Sequence, residues 1–408
     1  MRMLRREQTR LLERDEVFAG EQMPGAVVIG GCFQGLGIVR SLGKRGIPVC
    51  VIDDETSISR YSRHTTRALK VKNLRNEQQI VEALLDIGNS LKLQGWVLYP
   101  TREEIVAALS RFREQLGSIF RVPTPNWPSV QYAWDKRNTY KLAESLGIST
   151  PRTWYLQESS ELADLKDELP LVIKPAIKEH FFYATRAKAW RVDTLSELQD
   201  RFSQARELIG AGEIMLQELI PGDGCQQFSY CAFFKEGKAL GSMVVQRRRQ
   251  HPREFGRAST YVESVDLPEL AEISTRFLKA IDYYGLVEME FKFDQRDKAY
   301  KLLDVNARTW GYHSLGARAG VDFAAMLFAD QIGESVQPRQ ARPGVKWIRL
   351  LTDLPMGLMD LFHGHLDLSW YWQTLRHYDV EAVFDRHDLL PGLMEVSLAP
   401  YFYLRRGF

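Results

Sequence analysis

Four cysteines are few for a chain of 408 residues, and Cys32, Cys50, Cys225 and Cys231 are scattered. They form neither a zinc-ligand spacing nor a disulfide framework, so a reducing, cytoplasmic compartment is expected. Long apolar runs are missing as well. None approaches membrane-spanning length, and the charged start Met1-Arg-Met-Leu-Arg-Arg has no apolar stretch of a secretory signal behind it. Charge of one sign is also lacking. With 54 basic and 52 acidic residues the net charge is +2, so neither nucleic acid nor membrane is an expected partner. Internal repeats are absent too. What remains is an ordinary globular composition, on a chain too long for a single small core.

An apolar strand, Ala26-Val-Val-Ile29, runs into Gly30-Gly31. A helix pattern over 35–45 and a strand over 48–53 follow, giving a βαβ opening. A strand over 96–99 and a helix over 102–116 continue the alternation, which predicts a mostly parallel sheet flanked by helices. Pro123, Pro125 and Pro128 mark a linker. Beyond it the pattern predicts a helix over 132–146, a strand ending at Lys174-Pro175, and a helix over 196–209 capped by Ser196. A strand over 214–218, a hairpin over 228–246 and helices over 267–284 and 315–329 come next. The aromatic-rich stretch from about 343 suggests no chemistry.

The residues that carry chemistry gather on two apolar segments, Val287-Glu-Met-Glu290-Phe-Lys-Phe-Asp294 and Leu302-Leu-Asp304-Val-Asn306-Ala-Arg308. If both are strands, Asp304, Asn306 and Arg308 share a face. Glu290, Asp304 and Asn306 then offer hard oxygen ligands for Mg²⁺, with Mn²⁺ as the alternative ion, and Arg308 sets a fixed positive charge beside them. A solvated sheet face with cross-strand ion pairs uses the same residue types.

Lys136 and Lys174 can serve as point charges for phosphates, or as plain snorkelling lysines. In Gln217-Glu218-Leu219-Ile220-Pro221-Gly222-Asp223 a strand enters a Pro-Gly turn. Its free backbone groups can read an adenine edge and a nearby carboxylate can take ribose hydroxyls, although a strand before a turn is common. Period-two alternation sends Arg247 and Arg249 to one face, towards a carboxylate or phosphate. The plain alternative is an edge strand guarded by charge. The stretch from Gly256 to Tyr261 reads as a flexible loop. Trp310 and His313 follow Arg308 closely, and His313 is a candidate general base, although a lone histidine is more often structural.

Asp135-Lys136, Val-Ile-Lys174-Pro, Gln-Glu218-Leu-Ile-Pro-Gly, Glu290-Phe-Lys-Phe-Asp and Leu-Asp304-Val-Asn306-Ala-Arg308 occur in one order. In that order and spacing, over about residues 26–330, the chain resembles the ATP-grasp ligases, in particular their carboxylate–amine branch. The resemblance implies an ATP cleft between two α+β subdomains. Lys136, Lys174 and Lys188 would face the phosphates, Glu218, Leu219 and Ile220 the adenine, and Asp223 the ribose. Glu290, Asp304 and Asn306 would hold Mg²⁺ beside Arg308 as the catalytic arginine, and Arg247, Arg249 and Gly256 would meet substrate, with Trp310 and His313 lining the acceptor side.

The fold implied is α/β and α+β. It comprises an N-terminal arm over 1–23, a Rossmann-like pre-ATP-grasp domain over 24–125, an ATP-grasp domain over 126–340 with a lid subdomain over about 150–222, and a C-terminal extension over 341–408. The partners implied are a small-molecule carboxylate and an amine, and a homodimer is a family expectation. Phosphoryl transfer to another acceptor, a carboxylate–thiol ligase, and a nucleotide sensor with a degenerate site are the alternatives.

The chain departs from the family in places. Asp304 stands where the family usually has Glu, and Ala307 where it has Pro. The stretch Ala176–Thr185 contains no glycine, so its backbone approaches phosphates less easily than a glycine-rich loop does, and either Lys178, His180 or Thr185 compensates or the lid behaves differently. In Gly35-Leu-Gly37-Ile-Val-Arg40 the third glycine of a dinucleotide fingerprint is replaced. The N-terminal unit is therefore expected to frame the acceptor pocket rather than to bind a dinucleotide, despite Asp53 at the second strand end.

Overall fold

A computed structural model describes residues 24–222, 224–253, 255–256 and 258–406. The expected N-terminal arm and Asp223 lie outside the described residues.

Three sheets organise the chain. The first contains β1 (Ala26–Ile29), β2 (Val49–Asp53), β3 (Arg67–Lys70) and β4 (Val97–Pro100), all parallel, in the order β3-β2-β1-β4. Strands β1, β2 and β4 are buried throughout, as expected of a parallel sheet covered by helices. The second sheet has the order β5-β8-β6-β7, from β5 (Thr153–Trp154), β6 (Leu171–Pro175), β7 (Trp190–Val192) and β8 (Ile214–Glu218). Helix Leu195–Ile209 packs on it through Leu198, Phe202 and Ala205.

The third sheet has eight strands. It runs from β13 (Ala299–Asn306) through β12 (Gly285–Asp294), β9 (Gln227–Lys235), β10 (Lys238–His251) and β11 (Ala258–Val265) to β15 (Lys346–Ile348) and β16 (Val380–Glu381), and β14 (Arg339–Gln340) pairs with β10. One face meets helix Pro268–Ala280, where Val287, Met289 and Phe291 join Leu270, Phe277 and Leu278. Cys231, Phe233, Met243 and Val245 belong to a second cluster, shared with Leu36, Val39 and Trp310. The Rossmann-like unit, the smaller sheet and the larger one give the expected α/β and α+β architecture.

Several expected elements are cut by local chemistry. The helix expected over 132–146 is two, Trp127–Trp134 and Lys136–Ser145. Asp135 is extended between them and caps the second by accepting from Arg137 N at 2.9 Å. That break sets Lys136 at the first position of a helix. The helix expected over 315–329 divides at Gly320, whose φ of +103° ends His313–Ala319 before Phe323–Gln331 begins. Thr194, not Ser196, caps Leu195–Ile209, in a capping box with Glu197. Most of the stretch expected as a loop over 256–261 is the start of β11, and the glycine-free stretch expected as a lid loop is a helix, Lys178–Thr185.

Candidate active site

The site begins with an irregularity. Strands β12 and β13 pair Phe291 with Leu302 and Glu290 with Asp304, so Leu303 is an extra residue in the ladder. Without it Asp304 would fall opposite Met289, on the core face. With it, Asp304 and Asn306 join Glu288 and Glu290 on the face away from Met289 and Phe291. Arg308 lies beyond the strand end, and its Nη2 is 3.4 Å from Asn306 Oδ1. The Leu303 carbonyl accepts from Tyr140 Oη at 2.9 Å and Lys174 Nζ at 3.1 Å, which binds the smaller sheet to the larger.

Every acid here has a cation. Lys136 Nζ lies 2.9 Å from Asp304 Oδ1, and Arg247 Nη2 lies 2.8 Å from Glu290 Oε2. Asn306 Nδ2 donates to Glu290 at 2.9 Å and to Glu288 at 3.2 Å, leaving Asn306 Oδ1 facing Arg308. Burial opposes ionisation of Glu290, but Arg247 and then Lys188 hold its carboxyl well below the usual range. Burial likewise opposes ionisation of Asp304, and Lys136 and Lys174 hold it low. Glu288, missed by sequence reasoning although it lies two residues from Glu290, goes the other way. Burial and then the Glu290 charge push its carboxyl up, and it bonds to the Tyr312 hydroxyl. Among the described residues no group of three or more His, Cys, Asp or Glu side chains could hold a metal ion. The Glu290, Asp304 and Asn306 set is two carboxylates and an amide, hard oxygen donors of the kind Mg²⁺ takes with water and phosphate completing its shell.

A cavity of about 930 Å³ extends from Glu290 and Asp304 to the hinge, the strand end and turn at residues 217–222. Gln217 to Gly222 line it, together with Lys174, Lys188, Glu290 and Asp304. The Glu218 side chain is not turned to a ligand. It accepts from Lys301 and Arg296 at 2.8 Å each and from Arg152 N at 2.9 Å. The Ile220 carbonyl accepts from Lys292 Nζ at 2.8 Å. What the hinge can offer a nucleotide is therefore main chain rather than the Glu218 carboxylate. Lys188 Nζ donates to the Gly256 carbonyl at 2.9 Å, and burial pushes its ammonium down to about 8.

Arg247 and Arg249 do not share a face. They pair with Val262 and Tyr261, adjacent residues of β11, because Arg248 is extra in the ladder. Arg247 turns to Glu290. Arg249 grips Asp353 through two nitrogens at 2.8 Å, bonds Thr374 at 3.1 Å, and lies among the rings of Tyr261, Trp370 and Tyr371. It is a structural residue. Trp310 and His313 also depart from expectation. Trp310 is fully buried and packs edge-on against Phe323 at 4.8 Å. His313 Nε2 donates to the Gln34 carbonyl at 2.9 Å, and burial holds its ring below the ordinary histidine range, so it ties helix His313–Ala319 to the N-terminal unit and lines neither cavity.

A second cavity, of about 580 Å³, shares Lys188 with the first. Arg308 lines it, with Thr101 to Glu104 of the N-terminal unit and Lys178, Glu179, Phe182 and Tyr183 of the lid helix. Arg308 Nε pairs with Glu103 at 2.7 Å. The Tyr183 hydroxyl bonds to Glu104, and Arg75 lies 4.3 Å over the Tyr183 ring, so helix Lys178–Thr185 is docked on the N-terminal unit. His180 faces Glu213 at 2.8 Å and Thr185 bonds back to the Phe181 carbonyl, so of the three expected to compensate for the missing glycines only Lys178 reaches a cavity. Glu103 and Tyr183 carry no motif, and only the fold brings them to the site.

No protein-family model matches the chain. A D-aspartate ligase of Enterococcus faecium (strain Aus0004) is 21% identical over 323 residues, 75% of this chain and 76% of that protein. Among solved structures, the biotin carboxylase domain of Hydrogenobacter thermophilus 2-oxoglutarate carboxylase, in complex with MgADP, ADP and bicarbonate, matches with a TM-score of 0.62 at 18% identity, over 80% of this chain and 74% of that one. L-amino acid ligase from Bacillus licheniformis and N5-carboxyaminoimidazole synthetase from Staphylococcus aureus each match with a TM-score of 0.60 at 15% identity. They cover 80% of this chain, and 79% and 82% of their own. The architecture held in common, an N-terminal α/β unit followed by two subdomains, is the ATP-grasp fold. Among the described residues no helix is long and apolar enough to cross a membrane.

Proposed function

We propose that the chain is an ATP-dependent carboxylate–amine ligase working through an acyl phosphate. The observation that carries this reading is the meeting of two cavities at Lys188, with Glu290 and Asp304 lining one and Arg308 the other. ATP fits the larger, its adenine against the hinge main chain and its phosphates among Lys136, Lys174 and Lys188. Glu290, Asp304 and Asn306 would hold Mg²⁺, which when bound supplies charge neutralisation at the β- and γ-phosphates. The acid substrate enters from the second cavity, and Arg308 orients its carboxylate for in-line attack on the γ-phosphorus, which forms the acyl phosphate as the bond to the bridging oxygen breaks and ADP leaves. An amine then attacks the acyl carbon, the C–N bond forms and inorganic phosphate leaves, with Arg308 holding the oxyanion. The docked lid helix keeps water from the acyl phosphate.

The test is a carboxylate-by-amine screen for ADP release, followed by ¹⁸O-labelled carboxylate on any active pair. The expected result is label in the released phosphate and a loss of about 100-fold or more in Arg308→Ala. Unchanged turnover in that variant would overturn the reading. The lid helix, which has no glycine to cradle phosphates, favours a nucleotide sensor as the second reading, and ATP binding with no turnover across the screen would support it.

A further inference from the structure

The C-terminal extension closes the second cavity. Arg349 precedes helix Leu350–Phe362, Glu395 lies in helix Leu390–Ser397, and both line the cavity with Thr352. Arg349 Nη2 meets Glu395 Oε1 at 2.7 Å, and the guanidinium lies 4.3 Å over the Phe33 ring. The Glu395 side chain is 1% exposed. Phe33 in turn packs against Gly311, three residues after Arg308, where a Cβ would meet the Phe33 ring at 3.2 Å. One ring thus connects the reaction centre to the extension.

This ion pair is incomplete. Arg349 Nε and Glu395 Oε2 are buried with no hydrogen-bond partner. Arg249, the structural arginine of the same region, spends three nitrogens on Asp353 and Thr374 and is enclosed by aromatic rings. Arg349 spends one and borders a cavity. Buried polar groups in native folds are nearly always satisfied, so unspent ones at a cavity wall mark where a polar ligand belongs. A guanidinium with free edges is a carboxylate receptor, and a carboxylate held against it fixes its orientation.

We propose that the amine substrate is an amino acid and that Arg349, from the C-terminal extension, binds its carboxylate, with Glu395 and Phe33 as positioning residues. The word substrate rests on the ligase reading, but the subsite itself does not. Arg308 serves the acid being activated and Arg349 the acid that is only recognised, so the cavity tells an amino acid from a simple amine.

The experiment compares L- and D-amino acids with their carboxamides by calorimetric titration and thermal shift, on the full chain with and without MgADP. The variants are Arg349→Gln, Arg349→Lys and the double variant Arg349→Gln/Glu395→Gln, which leaves no buried charge alone. Expected is at least one amino acid that binds on the order of 10- to 100-fold more tightly than its amide, a preference lost in both Gln variants and partly kept by Lys. Equal binding of acid and amide, an unchanged preference in the Gln variants, or no binding by any amino acid would overturn the subsite. ADP release is read separately. Arg349-dependent binding without ADP release rejects the ligase reading and leaves the subsite standing. ADP release with amines lacking a carboxylate, at equal KM, does the reverse.

Discussion

Replacing Lys301 by Met tests whether the hinge is held by charge. Lys301 is buried, and its Nζ lies 2.8 Å from Asp294 and 2.8 Å from Glu218. At an effective dielectric constant of about 20 each contact is worth about 6 kcal/mol of Coulomb energy, much of it offset by the ammonium's desolvation. Removing one partner of a buried pair costs about 3–5 kcal/mol. Arg296 stays with Asp294 at 2.6 Å and Glu218 at 2.8 Å, so the lower end, about 3 kcal/mol, applies. For a cooperative unit of about 200 residues that is a fall in Tm of about 6–12 °C. Hydrogen bonds from Arg296 in the first place hold Asp294 below the usual carboxylate range, against burial and with help from Lys301. Burial opposes the ionisation of Glu218, but Lys301, Arg152 and Arg296 together hold it low. Carboxylates depressed in the folded state stabilise it above their unfolded pKa of about 4, and that contribution is lost as pH falls. The gap between wild type and Lys301→Met is therefore full at neutral pH, persists to about pH 4, and closes only below it, as both carboxylates take up protons in the folded state. Calorimetric melts from pH 2 to pH 7 measure it, with the KM for ATP at neutral pH as a second readout expected to rise. A drop under 2 °C, or a gap equal at both ends of the range, would refute the charge argument.

Other outcomes follow from the same geometry. Lys188 loses its charge above about 8, so the KM for ATP should rise through that pH, and Lys188→Arg, which stays charged, should flatten the alkaline limb of the pH–rate profile. Tyr183→Phe removes the hydroxyl joined to Glu104. Loss of a bond worth about 0.5–1.5 kcal/mol should raise amine-independent ADP release about 2- to 10-fold, measured as uncoupled hydrolysis. Arg249→Gln strands the buried Asp353 and should cost about 3–5 kcal/mol of stability by denaturant titration, while the KM values for all substrates stay unchanged.

The fold was largely legible because its evidence is local. The alternation of apolar strands and helices over the first hundred residues predicts a parallel sheet, and β1 to β4 form one. Lys136, Lys174, Glu290, Asp304, Asn306 and Arg308 sit in short strings whose order can be read directly, and the structure brings them into one cluster, with Lys174, Glu290 and Asp304 on the larger cavity and Arg308 on the second. What escaped reading depends on positions far apart in sequence or on breaks in periodicity. Counting by twos groups Arg247 with Arg249 and fails because Arg248 is an extra residue. Trp310 and His313 are polar-edged residues beside a reactive motif, yet the packing of the N-terminal unit against the large sheet buries both. Glu103 and Arg349 reach the second cavity from segments about two hundred residues before and forty residues after Arg308, and no local pattern announces them.

The bulge at Leu303 places one functional anchor outside the reach of ordinary genetics. The group that Lys174 and Tyr140 hold is a main-chain oxygen, present whatever side chain stands at that position. An alanine scan would pass over it, and a comparison of residue identities would find nothing to conserve. Only a change in strand length, by adding or deleting a residue between Leu302 and Asp304, would expose it. Part of this site is thus encoded as a count of residues rather than as a choice among them.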